Sequence, residues 1–291
     1  MGNSFHYWIP QELTPIEQAA GMTPHTQIAV DFMASSKVID HWDPKDPKDA
    51  THQTPDPKHP CKATVEAGGI DVLTLGGMHV ADEGIDDFAA LALSKNPNVI
   101  VTLQEFWLPF DRLDYPLNKS NAFGDLTTSL HPWTEPHPIE PGKDIADTCN
   151  FDSPTADQLV ALHKPYFDGY DKYVADENKR LGKNVIRVVP VGQAVIELRR
   201  KVIAGQFPGV TKQSELFTDS LGHPGPLMKA LAGYCHFIVI FQKDPRGLPL
   251  PKFPVRAQAT ITDEENKILQ QIAWDAVTNH PLSGFFHGAA N

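Results

Sequence analysis

Apolar residues along the chain follow two different spacings, and their alternation predicts strands interleaved with helices. Short β-branched apolar runs are typical of strands buried in a parallel sheet. Apolar residues three and four positions apart are typical of helices that bury one face. The strand-like runs lie at 28–30, 70–75, 99–103 and 185–191. The helical patterns lie at 10–20, 62–68, 83–94, 153–182, 192–202 and 262–278, and 227–241 is apolar enough to be buried.

The order of these elements predicts the α/β fold class, with a parallel sheet covered by helices on both faces. We interpret 1–291 as a single domain that ends in a helical extension at about 262–278. The segment 111–152 has several prolines and little periodicity, which is typical of a lid-like insertion. The chemistry of such folds lies where the carboxyl ends of strands enter loops. The candidate loops are 32–37, 76–80, 104–111 and 190–193.

Composition and charge narrow the functional classes. A formal net charge of −11 argues against a nucleic-acid partner, because phosphates attract clustered Lys and Arg. No apolar run approaches the length of a membrane span. Cys61, Cys149 and Cys235 lack metal-type spacing, and His131 and His137 lack a third ligand, so we expect no metal and no cofactor. A disulfide between Cys61 and Cys149 stays open.

Two short stretches carry candidate chemistry. Gly2-Asn3-Ser4 precedes a helical pattern, and glycine lets the backbone turn tightly there. A serine on such a turn would meet free N–H groups that favour a developing negative charge. Late in the chain, Asp219 closely precedes His223 and could orient its imidazole as a base. From the residues alone, both stretches are also compatible with ordinary turns.

Several short motifs together resemble the GDSL/SGNH hydrolase superfamily, in a bacterial branch of unknown function whose first block reads Gly-Asn-Ser-Phe. The resemblance runs from Gly2 to about residue 250. It implies a flavodoxin-like three-layer α/β/α fold and metal-independent serine esterase chemistry. It also implies Ser4 as nucleophile, His223 as base and Asp219 as its partner. The matching stretches are 2–5, 71–75, 82–86, 104–107 and 222–224.

Three departures from the family pattern shape further expectations. The family's first strand should precede Gly2, so we expect it upstream of the given sequence. The family's oxyanion asparagine is replaced at 76–79, where the sequence reads Gly-Gly-Met-His. We hypothesise that Gln104 supplies the missing donor beside the Ser4 N–H. The Asp-to-His spacing is also one residue longer than usual. Further oxyanion or substrate-binding candidates are Ser35, Gly77 and Trp8.

Relatives in the superfamily often remove acetyl groups from carbohydrates, which makes an O-acetyl carbohydrate ester the substrate that the resemblance implies. One alternative is a catalytically impaired carbohydrate-binding protein, motivated by Met78 in place of the asparagine. Another is a short-chain lipase or thioesterase on the same fold. The oligomeric state and the compartment stay open, and an upstream export signal would place the protein outside the cytoplasm.

Overall fold

The computed structural model describes residues 1–34, 36–45, 48, 51, 55–77, 83–111, 149–254 and 261–285. In this part of the chain, strands and longer helices alternate as the sequence predicts. The strands are β1 (Val72–Leu75), β2 (Ile100–Gln104) and β3 (Ile186–Val189). The helices are α1 (Ile9–Ala19), α2 (Cys61–Ala67), α3 (Glu83–Lys95), α4 (Ala156–Leu181), α5 (Val191–Ile203), α6 (Pro226–Phe241) and α7 (Asp263–Thr278).

The three strands form a parallel sheet in the order β1-β2-β3. Leu75 pairs with Leu103, and Leu103 pairs with Val188, so one row of apolar side chains crosses the sheet. All three side chains are fully buried beneath flanking helices. Burial on both faces explains why these strands read as continuous apolar runs in the sequence. The α/β class is confirmed, and the arrangement is compatible with three α/β/α layers.

The stretch 28–30 is extended but is not part of a strand, so this prediction was wrong. Ile28 and Val30 are 58% and 38% exposed, and pairing in this region is limited to a single parallel bridge between Phe32 and Gly2. A β-branched run becomes a strand only where a neighbouring backbone satisfies its hydrogen bonds. Here the segment instead borders a cavity of about 560 Å³ that separates it from β1.

The long helices begin and end where their sequence signals lie. Thr155 caps α4 in a reciprocal capping box with Gln158, two residues after the start of the predicted pattern at 153. Gly182 ends α4 in a left-handed conformation that favours glycine. Thr262 and Glu265 form a capping box at the start of α7, where the predicted pattern begins.

Two other expectations can be compared with the structure. Cys61 and Cys149 are both free, so the disulfide that the sequence left open is not formed. No described helix has both the length and the apolar character needed to cross a membrane. Most of the predicted lid, with His131 and His137, falls in 112–148, outside the described residues.

Candidate functional site

A tight turn at residues 3–8 carries Ser4 at the carboxyl edge of the sheet. Gly2 forms parallel bridges to both Phe32 and Gly76, which places it beside the end of β1. Its backbone φ is +154°, and an added Cβ would lie 3.1 Å from the Gly76 Cα. A Cβ on Gly76 would in turn lie 2.5 Å from the His6 Cβ. The two glycines therefore let the chain pass close to the sheet just before Ser4.

Side chains within the turn hold its shape. The Asn3 Oδ1 accepts a hydrogen bond from the Phe5 N–H at 3.0 Å, and its Nδ2 donates to the Ser36 carbonyl at 3.2 Å. The Trp8 indole N–H donates to the Ser4 carbonyl at 2.9 Å. The Ser4 side chain stays partly exposed, whereas Asn3, Phe5 and Trp8 are buried. The backbone of the turn is thus held by buried hydrogen bonds, while the Ser4 hydroxyl remains accessible to solvent.

The structure brings Ser4, His223 and Asp219 together in a hydrogen-bonded chain. The Ser4 Oγ lies 2.8 Å from the His223 Nε2, although the two residues are 219 positions apart. The Asp219 Oδ2 lies 2.6 Å from the His223 Nδ1 and accepts a hydrogen bond from it. The His223 and Asp219 side chains are 27% and 46% exposed, so the relay borders solvent. Both distances suit a nucleophile, a base and an orienting carboxylate.

The loop at 217–224 fixes the imidazole in this position. The Asp219 Oδ1 accepts hydrogen bonds from the N–H groups of Gly222 and His223 at 3.1 and 3.2 Å. Gly222 has a φ of +99°, which glycine adopts at little cost and which accommodates the four-residue spacing from Asp219 to His223. The Trp107 indole N–H donates to the Gly222 carbonyl at 2.9 Å. The Phe5 ring stacks on the imidazole, with centroids 4.8 Å apart.

The carboxyl of Asp219 is held in its charged form. Although burial on its own raises the pKa of Asp219, hydrogen bonds from His223 and Gly222 outweigh it and lower that pKa below its usual value. An ionised Asp219 accepts a hydrogen bond from the Nδ1–H of His223. The lone pair of the neutral imidazole then lies on Nε2 and faces the Ser4 hydroxyl.

Gln104 occupies a different position from the one hypothesised for it. Its Nε2 donates to the Phe5 carbonyl at 3.1 Å, and its Oε1 lies 3.1 Å from both the His6 Nδ1 and the His236 Nε2. The side chain is fully buried. Because the amide nitrogen is bonded to the turn, we correct the hypothesis: Gln104 supports the Ser4 turn from below rather than donating to a substrate.

Burial keeps the two histidines around Gln104 neutral. It lowers the pKa of His236 to about 3 and that of His6 well below its usual value. A neutral imidazole has one N–H, and each ring directs one nitrogen at the same Gln104 oxygen. This oxygen therefore accepts two hydrogen bonds while the amide nitrogen donates to the turn. No sequence pattern pointed to this network, because its members are far apart along the chain.

The other predicted residues lie near the turn in varied settings. Trp8 is only 2% exposed and lies beneath Ser4, so its ring supports the turn rather than an open pocket. Gly77 follows the end of β1, and its carbonyl accepts a hydrogen bond from the Tyr170 hydroxyl. Ser35 lies outside the described residues. Trp107, which was not among the candidates, directly follows the strand-end residues 104–106, and that position could have identified it.

Comparisons with known proteins support the fold but give no information on the chemistry of the site. No known family profile and no curated protein matches the chain. Among solved structures, it is similar to a DUF4886 family protein from Bacteroides uniformis, with a TM-score of 0.52. The similarity covers 96% of this chain and 93% of that chain at 11% sequence identity. At this identity the likeness shows the fold alone.

Proposed function

We propose that the protein is a serine hydrolase that cleaves carboxylic esters through a covalent acyl-Ser4 intermediate. The observation that carries the proposal is the hydrogen-bonded chain from the Ser4 Oγ through the His223 imidazole to Asp219. A free serine hydroxyl is a weak nucleophile, and an adjacent oriented base activates it. Partial exposure of all three side chains gives a substrate access to the hydroxyl.

In the first half-reaction, the Ser4 Oγ attacks the ester carbonyl carbon as its proton passes to the His223 Nε2. Asp219 stabilises the imidazolium that forms. Collapse of the tetrahedral intermediate breaks the bond to the alcohol oxygen, and His223 returns the proton to that oxygen. The products of this step are the free alcohol and an acyl-Ser4 ester.

In the second half-reaction, water attacks the acyl-Ser4 carbonyl while His223 takes one of its protons. The same proton then returns to the Ser4 Oγ as the carboxylic acid leaves. The backbone N–H groups of Ser4 and Gly77, at the carboxyl edge of the sheet, are the proposed donors to the oxyanion. Each such donor contributes about 2.7–4 kcal/mol to lowering the barrier.

The substrate class is proposed from the resemblance to SGNH hydrolases. An O-acetyl ester of a carbohydrate is the first choice, and a longer acyl chain or a thioester would favour a lipase or thioesterase instead. The acyl preference separates these readings, because a deacetylase loses rate as the acyl chain grows.

A chromogenic ester series tests both the chemistry and the acyl preference. Purified protein should hydrolyse p-nitrophenyl acetate faster than p-nitrophenyl octanoate, and Ser4→Ala should lower kcat at least about 10³-fold, because the nucleophile is lost. Ser94→Ala is the matched control, since Ser94 lies exposed on α3 and bonds only the Leu91 carbonyl. A fluorophosphonate probe should label the wild type and Ser94→Ala but not Ser4→Ala. Equal rates in Ser4→Ala and wild type would refute the proposal.

A further inference from the structure

A second polar cluster lies behind the Ser4 turn, where Asp31, His41 and His59 converge. The Asp31 Oδ1 lies 2.9 Å from the His41 Nδ1 and 2.8 Å from the His59 Nδ1. Two imidazole nitrogens therefore point at one carboxylate oxygen. The potential ligand atoms of the three residues all lie within 4.8 Å of one another.

The donor set suits a transition metal. Two imidazoles and one carboxylate are ligands that Zn²⁺ and related divalent ions accept, with bonds of about 2.0–2.2 Å. An ion of this size fits among these donors after a small increase in their separation. The His41 and Asp31 side chains are 0% and 1% exposed, and that of His59 is 17% exposed. A site so placed is shielded from bulk water on one side and reachable on the other.

The groups around the cluster orient it for binding. The His41 Nε2 lies 2.8 Å from the Ser36 Oγ, so Nε2 can keep its proton and leave the Nδ1 lone pair for a metal. The Asp31 Oδ2 accepts the Cys61 N–H at 3.1 Å, which leaves Oδ1 facing the histidines. Such partners fix the tautomer and orientation of metal ligands in proteins. Asp31 also borders the 560 Å³ cavity, from which water could complete the coordination.

We propose that Asp31, His41 and His59 form a binding site for a divalent transition metal ion, with Zn²⁺ as the reference ion. On binding, the ion takes the place of the hydrogen bonds from the two Nδ1 atoms to Asp31, and each neutral imidazole then binds the ion through Nδ1 and carries its proton on Nε2. The ligands come from the segment between α1 and α2: Asp31 and His59 lie outside helices and strands, and His41 ends a short 3-10 helix (Ile39–His41). Bound metal therefore joins three points of this segment.

The site is linked to the Ser4 turn through the backbone. The Gly2 N–H donates to the Asp31 carbonyl at 3.0 Å, and the Asn3 side chain donates to the Ser36 carbonyl. Metal at this cluster stabilises the loop that supports the nucleophile, while the ion itself stays outside the proposed esterase chemistry. The role is structural, so it does not depend on the proposed function.

The chain offers a matched control in His25. Its Nδ1 lies 2.8 Å from the Glu17 Oε2, which reproduces a single histidine–carboxylate pair. The His25 side chain is 25% exposed, close to the value for His59, and it borders the same cavity. His25 does not belong to any group of three potential ligands within the described part of the chain. Loss of His25 should leave metal binding intact.

The test measures Zn²⁺ binding to the full chain after chelator treatment. Isothermal titration should give one equivalent bound with a Kd below about 1 μM. Co²⁺ at the same site should give visible absorption bands. His59→Ala should weaken binding by more than the ~10–100-fold that loss of a ligand-orienting partner causes. His25→Ala should bind like the wild type.

Circular dichroism and the Tm of each variant accompany the titration. Zn²⁺ should raise the Tm of the wild type and of His25→Ala but not that of His59→Ala. If His59→Ala fails to fold, the wild-type titration decides alone. The proposal is overturned if the wild type binds less than one equivalent at micromolar concentration, or if His25→Ala loses as much affinity as His59→Ala.

Discussion

At the residue scale, the imidazole of His223 has a defined tautomer because Asp219 accepts a hydrogen bond from its Nδ1–H at 2.6 Å. This contact does two things in the proposed reaction. It leaves the Nε2 lone pair free for the Ser4 proton, and it stabilises the positive charge that follows. Asp219 is nevertheless 46% exposed, so water can replace part of its effect. The carboxylate therefore matters most for orientation.

Replacing Asp219 with asparagine should lower kcat for p-nitrophenyl acetate by about 10²–10³-fold, less than the ~10⁴-fold known for a buried triad carboxylate. The amide can hold the imidazole in the wrong tautomer, with its proton facing Ser4. KM should change little, because Asp219 does not face the acyl group. Asp244→Asn serves as the control, since Asp244 forms only a surface pair with Arg246. An unchanged kcat in Asp219→Asn would contradict the assigned role.

Single residues differ in how far the sequence could predict them. Ser4, Asp219 and His223 lie in short motifs, and the structure brings all three together. The direction of the Gln104 amide could not be predicted, because two distant histidines and the Phe5 carbonyl set it. The Asp31 cluster was missed for the same reason. Its ligands are spaced irregularly and meet only through loop packing.

At the element scale, the end of β2 turns neighbouring side chains toward different surroundings. Gln104 supports the Ser4 turn, whereas Glu105 accepts hydrogen bonds at 3.1 and 3.0 Å from the backbone and side chain of Gln193, at the start of α5. Glu105 is fully buried, and this burial raises its pKa to about 7. A charged carboxylate at this position is thus unfavourable in the folded state.

The pKa of Glu105 predicts a pH dependence of stability. An unfolded glutamate ionises near pH 4.3, whereas the native group keeps its proton up to about pH 7. Between these values the native state holds the extra proton, so the free energy of unfolding falls as the pH rises. Glu105→Gln should remove this loss, which is at most about 4 kcal/mol. The Gln193 amide can flip to satisfy the new side chain.

Urea denaturation at pH 5, 7 and 8.5 measures the effect. The wild type should lose stability relative to Glu105→Gln between the first two values and little thereafter. Glu197→Gln is the control. Glu197 lies on α5, the helix that carries Gln193, but it is 40% exposed and pairs with Arg200 at the surface. Parallel curves for the wild type and Glu105→Gln would show that the carboxyl is ionised normally.

The elements themselves were largely predictable, because their apolar spacing reflects which faces they bury. β1 and β3 lie within the predicted runs, β2 extends one residue past its run, and α7 begins one residue after the start of the predicted pattern at 262. The run at 28–30 contains the β-branched residues typical of a strand, but backbone pairing next to it is limited to the bridge between Phe32 and Gly2. Local composition therefore indicates the propensity of a segment to form a strand. Whether the strand forms depends on a neighbouring backbone with which the segment can pair.

At the scale of the whole molecule, the buried side chain of Arg199 joins segments from several parts of the chain. Its guanidinium donates to both Asp111 oxygens at 2.6 and 2.7 Å, to the Gln213 Oε1 at 2.8 Å and to the Phe151 carbonyl at 3.2 Å. The neighbouring Phe110 N–H bonds the Leu221 carbonyl in the loop that carries His223. This ion pair thus supports the loop at 217–224 from behind.

Breaking this pair should unfold the molecule more easily. Asp111→Asn leaves the Arg199 charge buried without its partner, and such losses cost about 3–5 kcal/mol. The midpoint of urea denaturation should fall accordingly. Asp86→Asn is the control: Asp86 pairs with Arg180 at the surface, where a pair contributes about 0–1 kcal/mol. Equal midpoints for the two variants would mean that solvent reaches Arg199.

The separation of Ser4 from His223 by 219 positions has a consequence for how the molecule acquires the proposed activity. Contacts between such distant residues close a very long loop, and chains rich in them fold slowly. Ester turnover should accordingly emerge only once both ends of this loop have met, after the local helices exist. The onset of ester turnover during refolding should therefore report when the Ser4 hydroxyl and the His223 imidazole come together, at the last stage of folding.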